Sequence, residues 1–200
     1  MGQRFAKKAC QLLNPNHKLD PTLYKEHFVD SHRDISSHAA IGKTISGTAT
    51  DSKHSSNKGL NALLDGKFGS ADHTEKTWSG FAPSEKPIQI LIDLGQSTVI
   101  NELGVNMLLS TKAKAEFPNK IIFSTSDDGK TFKINNQRYN TIKFYNTKKL
   151  KAMRANGIEA QSVLLLTGQG SAKARYLKIE IETGDQWVFL DEIVVNPVVR

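Results

Sequence analysis

Six histidines, two adjacent carboxylate pairs and one cysteine are the residues of this 200-residue chain best equipped for catalysis or metal binding. His17, His27, His32, His38, His54 and His73 all lie in the N-terminal half, and His27 and His32 lack the spacing and the intervening glutamate of a zinc helix. Asp127-Asp128 and Asp191-Glu192 are sequence neighbours in turn or strand. Alternating side chains then point opposite ways, so neither pair is expected to flank one bond as a general acid and base. Cys10 sits in polar surroundings and forms no internal disulfide, and the chain carries neither Gly-x-Ser-x-Gly nor His-Glu-x-x-His. Catalysis is therefore not expected. One stretch still asks for a ligand: "LLDGKFGSADHTEKTWSGF", Leu63 to Phe81, places Asp-Gly after an apolar run, then a dozen polar residues, then a tryptophan.

The elements that position such a loop are strands. "PIQILIDLG" (Pro87 to Gly95), "VINELGVNML" (Val99 to Leu108), "KIIFSTSDDGKTFKI" (Lys120 to Ile134), "TIKFY" (Thr141 to Tyr145), "SVLLLT" (Ser162 to Thr167), "ARYLKIEIET" (Ala174 to Thr183) and "WVFLDEIVV" (Trp187 to Val195) follow one another with turn residues between them. Tyr176, Lys178 and Glu180 alternate with Leu177, Ile179 and Ile181, the period of a half-buried strand. Asp128-Gly129 reads as a hairpin turn, because glycine takes the positive φ such turns require. "KKLKAMRANGIEA" reads as a helical turn or a lysine-rich loop. Many short strands and little helix predict an all-β antiparallel sandwich or jelly roll. Residues 1–36 are polar, contain two prolines, and read as a linker or flanking segment, mostly irregular, ahead of a sandwich domain at 37–200.

Composition narrows the function classes. With 38% hydrophobic and 24% charged residues the chain has a globular balance. No apolar run reaches the roughly 18 residues of a membrane span, and no secretory signal is visible at the N-terminus. The net charge of +7, from 27 basic and 20 acidic residues, is scattered, with small clusters at Arg4–Lys8, Lys112–Lys114 and Thr147–Arg154. Scattered lysines describe a solvated surface, so nucleic acid or another polyanion is the less favoured partner.

Taken in order, "ALLDG" (Ala62 to Gly66), "TW" (Thr77, Trp78), "IQILIDLG", "INELGV", "STSDDGKTF", "ARYLKIEI" and "LDEIVV" resemble the discoidin domains, also called coagulation factor type C. The version here is similar to the carbohydrate-binding modules appended to bacterial hexosaminidase-type glycoside hydrolases. The resemblance covers about Ser37 to Pro197. It implies a galactose-binding-like jelly-roll sandwich of about eight antiparallel strands. It also implies a non-catalytic carbohydrate-binding module that targets an attached or partner glycoside hydrolase to a glycan, in an extracellular or periplasmic setting. The alternative is an accessory domain for protein or interdomain packing without a free sugar site.

The same resemblance implies that the loop after Asp65-Gly66 binds a structural calcium through Asp65, backbone carbonyls, a hydroxyl and Glu192 of the last strand. A hard cation wants six to eight oxygens, which such a loop supplies. An insertion delays the tryptophan, so Ser70 and Thr77 both stand as the hydroxyl. Trp78 and Phe81 are expected to pack against the sheet, whereas Trp187 stands between core edge and exposed platform. Sugar sites on this fold use the loops at one end. His54 and Asn57 in Ala49–Gly59, and Lys112, Lys114 and Phe117 in Leu109–Asn119, are the candidate ligand contacts. No arginine stands in the second loop, and "FPNK" replaces the Asn-Gly of galactose binders; a lysine pair there suits a carboxylated or sulfated sugar.

Overall fold

The computed structural model describes residues 28–29, 35–54, 56, 58–138, 148 and 150–199. Most of the 1–36 segment, Asn57 and "TIKFY" therefore lie outside the described residues. Ten strands are found among those described: β1 (Phe28–Val29), β2 (Ile35–Ser37), β3 (Thr44–Gly47), β4 (Ser79–Phe81), β5 (Ile88–Ser110), β6 (Lys120–Ser126), β7 (Lys133–Arg138), β8 (Ala160–Glu182), β9 (Val188–Val195) and β10 (Val198–Val199). Short 3-10 turns cover Ser52–His54 and Gly59–Leu64, and a short helix covers 150–155.

Two strands of 23 residues each, β5 and β8, organise the sandwich. The sequence suggested two strands in each of these stretches; the chain instead runs on through a break in pairing between Asp93 and Thr98. The first half of β5 pairs with β3 and with the second half of β8, which pairs with β6 and through it β7. The second half of β5 lies between β9 and the first half of β8, with β4 and β1 outside them. The two long strands thus pass from one layer to the other, and β2 pairs with β10 beside them. Every pairing between these strands is antiparallel.

Side-chain alternation fills the space between the layers. Ile88, Ile90, Ile92, Leu103, Val105, Met107, Leu177, Ile179 and Ile181 belong to one buried cluster with Phe123, Leu190 and Ile193. Gly129 adopts φ 70° at the β6–β7 turn. Asp128 closes that turn by accepting the N–H groups of Lys130 and Thr131, each at 2.8 Å. A second, smaller cluster of Trp78, Leu108, Ala115 and Phe189 supports one end of the sandwich, where the loop opened by Asp65-Gly66 is held.

Candidate functional site

That loop rests on an acidic seat. Glu192 accepts the N–H of Lys67 through Oε2 at 3.1 Å, and Asp65 accepts the same N–H through Oδ1 at 3.0 Å. Asp191 accepts the Gly69 N–H and, through Oδ1, the Nδ2–H of Asn106 at 2.7 Å. Asp191 and Glu192 are 0% exposed. Adjacent residues of a regular strand face opposite ways; here the β5–β9 register slips between Asn106 and Met107. This bulge turns both carboxylates toward Lys67–Gly69, correcting the expectation of opposed side chains. Neither reaches an open site, because each is buried against backbone donors.

Burial raises both carboxyls above their ordinary range, Asp191 to about 8 and Glu192 to about 9, with Asp191 and Asp65 adding to the effect on Glu192. His38 donates Nε2–H to Glu192 Oε1 at 2.9 Å, while its Nδ1 accepts the Ala40 N–H at 3.3 Å. Burial lowers the His38 ring to about 4, so at neutral pH this contact is a hydrogen bond rather than an ion pair. The cation at the seat is Lys58, whose Nζ lies 2.8 Å from Asp65 Oδ2 on a half-exposed stem.

The hydroxyls expected to complete a calcium shell are engaged elsewhere. Ser70 donates its O–H to Glu75 Oε1 at 2.6 Å and its N–H to Oε2 at 3.0 Å, and Thr77 donates to Oε2 at 3.4 Å. The inserted residues brought their own carboxylate, and the hydrogen bonds to Ser70 hold Glu75 below the usual range. Among the described residues no group of three or more His, Cys, Asp and Glu is disposed to hold a metal. Asp65 and Glu192 converge, whereas Ser70 and Thr77 turn into the insertion.

The insertion forms a wall. Asp72 accepts the N–H and O–H of Thr74 at 2.9 and 2.8 Å, Trp78 donates Nε1–H to the Ser70 carbonyl at 3.2 Å, and the Trp78 ring is 1% exposed. Gly69 must lack a side chain, since a Cβ there would meet Trp78 Nε1 at 2.7 Å. Between this wall and the Ser52–His54 turn lies a cleft of about 230 Å³, lined by Lys53 and His54 on one side and by His73, Thr74, Glu75, Lys76 and Trp78 on the other. His54 stands edge-on to Trp187 at 4.9 Å and to Phe189 at 5.4 Å between ring centres, and His73 is edge-on to Phe189 at 6.4 Å. Trp78 and Phe189 are buried beneath the cleft, so the rings it presents are the half-buried imidazoles of His54 and His73. With polar groups at their edges, these can pack on one sugar ring and orient its substituents.

Of the residues expected to contact a ligand, His54 lines this cleft and Trp187, half-buried, stands behind it. The Leu109–Asn119 loop reaches the same end: Ala115 bridges to Trp187, and Lys112, exposed, acts electrostatically on Asp72. Lys114 is exposed with φ 50°. Phe117 is corrected: at 1% exposure it belongs to the main core, so its ring is not free to stack on a sugar. Lys53, His73, Thr74, Glu75 and Lys76 were not identified from sequence. Their signal was the insertion itself, a polar loop lengthened beside a tryptophan.

Comparison with known proteins gives a family and a fold. The model of the F5/8 type C domain matches residues 46–193, and no curated protein matches the sequence significantly. Among solved structures, the Clostridium perfringens module CpGH89CBM32-5, in complex with GalNAc-beta-1,3-galactose, is 20% identical with a TM-score of 0.54, covering 80% of this chain and 99% of that one. Chitosan-binding module 1 of a chitosanase/glucanase from Paenibacillus sp. IK-5 is 13% identical with a TM-score of 0.52, covering 80% and 98%. The lectin domain of lectinolysin, complexed with Lewis B antigen, is 13% identical with a TM-score of 0.51, covering 82% and 99%. At these identities the structures share a fold with this chain. With its family model spanning residues 46–193, the chain belongs to the F5/8 type C, or discoidin, family.

Proposed function

We propose that this chain is a non-catalytic carbohydrate-binding module that seats a sugar in the cleft between His54 and the 73–78 wall. The carrying observation is the convergence of His54, His73 and Trp78 around one cleft at the loop end of the sandwich, with Trp187 and Phe189 behind. The cleft is smaller than the roughly 300–1,000 Å³ pockets of drug-sized ligands, which suits one terminal sugar ring better than a long chain. The ligands bound in two structures of the same fold, GalNAc-beta-1,3-galactose and the Lewis B antigen, support a glycan as the ligand class. A catalytic role is disfavoured by the burial of Asp191 and Glu192, whose oxygens are taken by backbone and amide donors.

In this reading the module holds an attached or partner hydrolase near its glycan outside the cytoplasm, by raising effective concentration. Among the described residues no helix is long and apolar enough to cross a membrane. A polyanion-binding face is disfavoured because the basic residues are scattered along the chain rather than gathered in one run.

A structural calcium at the loop belongs to the same proposal. Asp65 and Glu192 are the residues that would hold it, since their carboxyls converge at Lys67, and binding the ion would have to draw the proton from the Glu192 carboxyl that burial holds up. Calcium, when bound, would supply the charge that closes the loop over the seat. A glycan array with the full chain and with His54→Ala, each with calcium and with chelator, tests the function. Binding of a defined sugar, lost in the variant, is expected. A folded wild-type protein that retains no glycan overturns it.

A further inference from the structure

We infer that the cleft selects sugars carrying a negative substituent, a carboxylate or a sulfate, over their neutral counterparts. This inference rests on the glycan reading above and deepens it. A neutral sugar presents hydroxyls that need acceptors as well as donors, whereas an anionic substituent needs donors alone.

The lining carboxylate is turned back into the chain, while the lysines of the cleft are left exposed. Both oxygens of Glu75, the lining carboxylate, are taken by the N–H and O–H of Ser70 and the O–H of Thr77. Two further carboxylates at this end are likewise turned back into the chain. Asp72 accepts the N–H and O–H of Thr74 through one oxygen, and Asp51 accepts the N–H of Lys53 at 2.9 Å. Against these stand Lys53 and Lys76, lining the cleft from opposite walls and both exposed. Neither is in an ion pair among the described residues. Lys112, also exposed, stands near enough to act on Asp72 from the neighbouring loop.

The cation placement therefore differs from the sequence-level expectation. A lysine pair within Leu109–Asn119 suggested acidic sugars, but the two lysines that line the cleft come from the Ser52–His54 turn and from the insertion. An ammonium on each wall reaches an anion at the mouth of the cleft while the ring packs against the imidazoles of His54 and His73. Such a site also disfavours a cationic glucosamine polymer, the ligand class named for the Paenibacillus module of the same fold.

The test uses matched probes on the full chain: sulfated and unsulfated N-acetyllactosamine, a galacturonate trimer and a galactose trimer, and a chitosan trimer. Titration calorimetry at low and physiological salt reads the affinities. Two exposed ion pairs predict roughly a tenfold preference for at least one acidic member of a pair, and the sulfate and uronate arms show which anion is taken. Lys53→Gln with Lys76→Gln, both surface changes checked by melting temperature, brings the preferred acidic probe down to the affinity of its neutral partner. Neutral members binding as tightly as acidic ones, or the chitosan trimer binding best, overturns the charge inference while leaving glycan binding intact. If none of these probes binds and a broad glycan array is also silent, the glycan reading falls with it.

Discussion

Gly80 is where a single methyl group would separate the cleft from the sandwich that supports it. It lies in β4 and pairs with Phe189 of β9. A Cβ placed on it would stand 2.6 Å from His54 Cβ and 3.0 Å from Phe189 Cε1. Carbon atoms rest at about 3.5–4.0 Å, so His54 must retreat by roughly 1 Å. Phe189 cannot yield instead, being 2% exposed and packed with Trp78 and Leu108. Overpacking of this kind costs about 1–3 kcal/mol, or about 2–12 °C in melting temperature for a domain of this size. A hydrogen bond from His54 to a sugar would be stretched out of range by the same shift, weakening binding roughly two- to twelvefold. Gly80→Ala should therefore show a lower melting temperature by calorimetry together with a weaker titration against the sugar that wild type retains best on an array. An unchanged melting temperature with unchanged affinity would refute the packing of His54 on Gly80.

Phe117→Ala removes a buried core ring and should cost about 3–5 kcal/mol in urea unfolding; a loss below about 1 kcal/mol would return Phe117 to the surface. Arg175 grips Asp93 with two hydrogen bonds at 2.8 and 2.7 Å and, helped by the Gly95 N–H, holds its carboxyl down to about 2. Because this folded pKa is depressed, the stabilisation is present above about pH 4 and lost as pH falls through about 2. Both side chains are partly exposed, so solvent screening keeps the gain small. Asp93→Asn should be less stable than wild type at pH 7, with the difference closing near pH 2, and a difference independent of pH would contradict the pair. For calcium, a site with the roughly 10⁻⁴–10⁻³ M dissociation constant of extracellular modules yields about 0.4–1.4 kcal/mol at millimolar ion, or about 1–6 °C. Asp65→Ala should abolish that increment, and a wild-type melting temperature indifferent to chelator would remove the ion from the seat.

Much of the scaffold was legible in the chain because strand periodicity is a local signal. The alternation of Tyr176, Lys178 and Glu180 with Leu177, Ile179 and Ile181 reports a buried face whatever strand lies alongside, and Asp128-Gly129 carries its turn within two residues. Trp78 was likewise expected to pack, and its ring is buried with its N–H on the Ser70 carbonyl. Loops have no such period. Phe117 gave no sign of which way its ring turns, because that depends on the chain folding under β9 at Trp187.

What the sequence determined by itself is the family, the layered antiparallel fold and the conjunction of Asp65 with Glu192, since ordered motifs and a period of two survive without knowledge of neighbours. Tertiary structure alone decided the rest. The slip in β5–β9 pairing turned Asp191 and Glu192 toward one loop, a matter of register between distant strands. The insertion took Ser70 and Thr77 for its own Glu75 and raised the wall of the cleft. His54, His73 and Trp187 came together because three separate segments end at the same edge of the sandwich, and proximity of that kind is fixed by packing rather than by spacing along the chain.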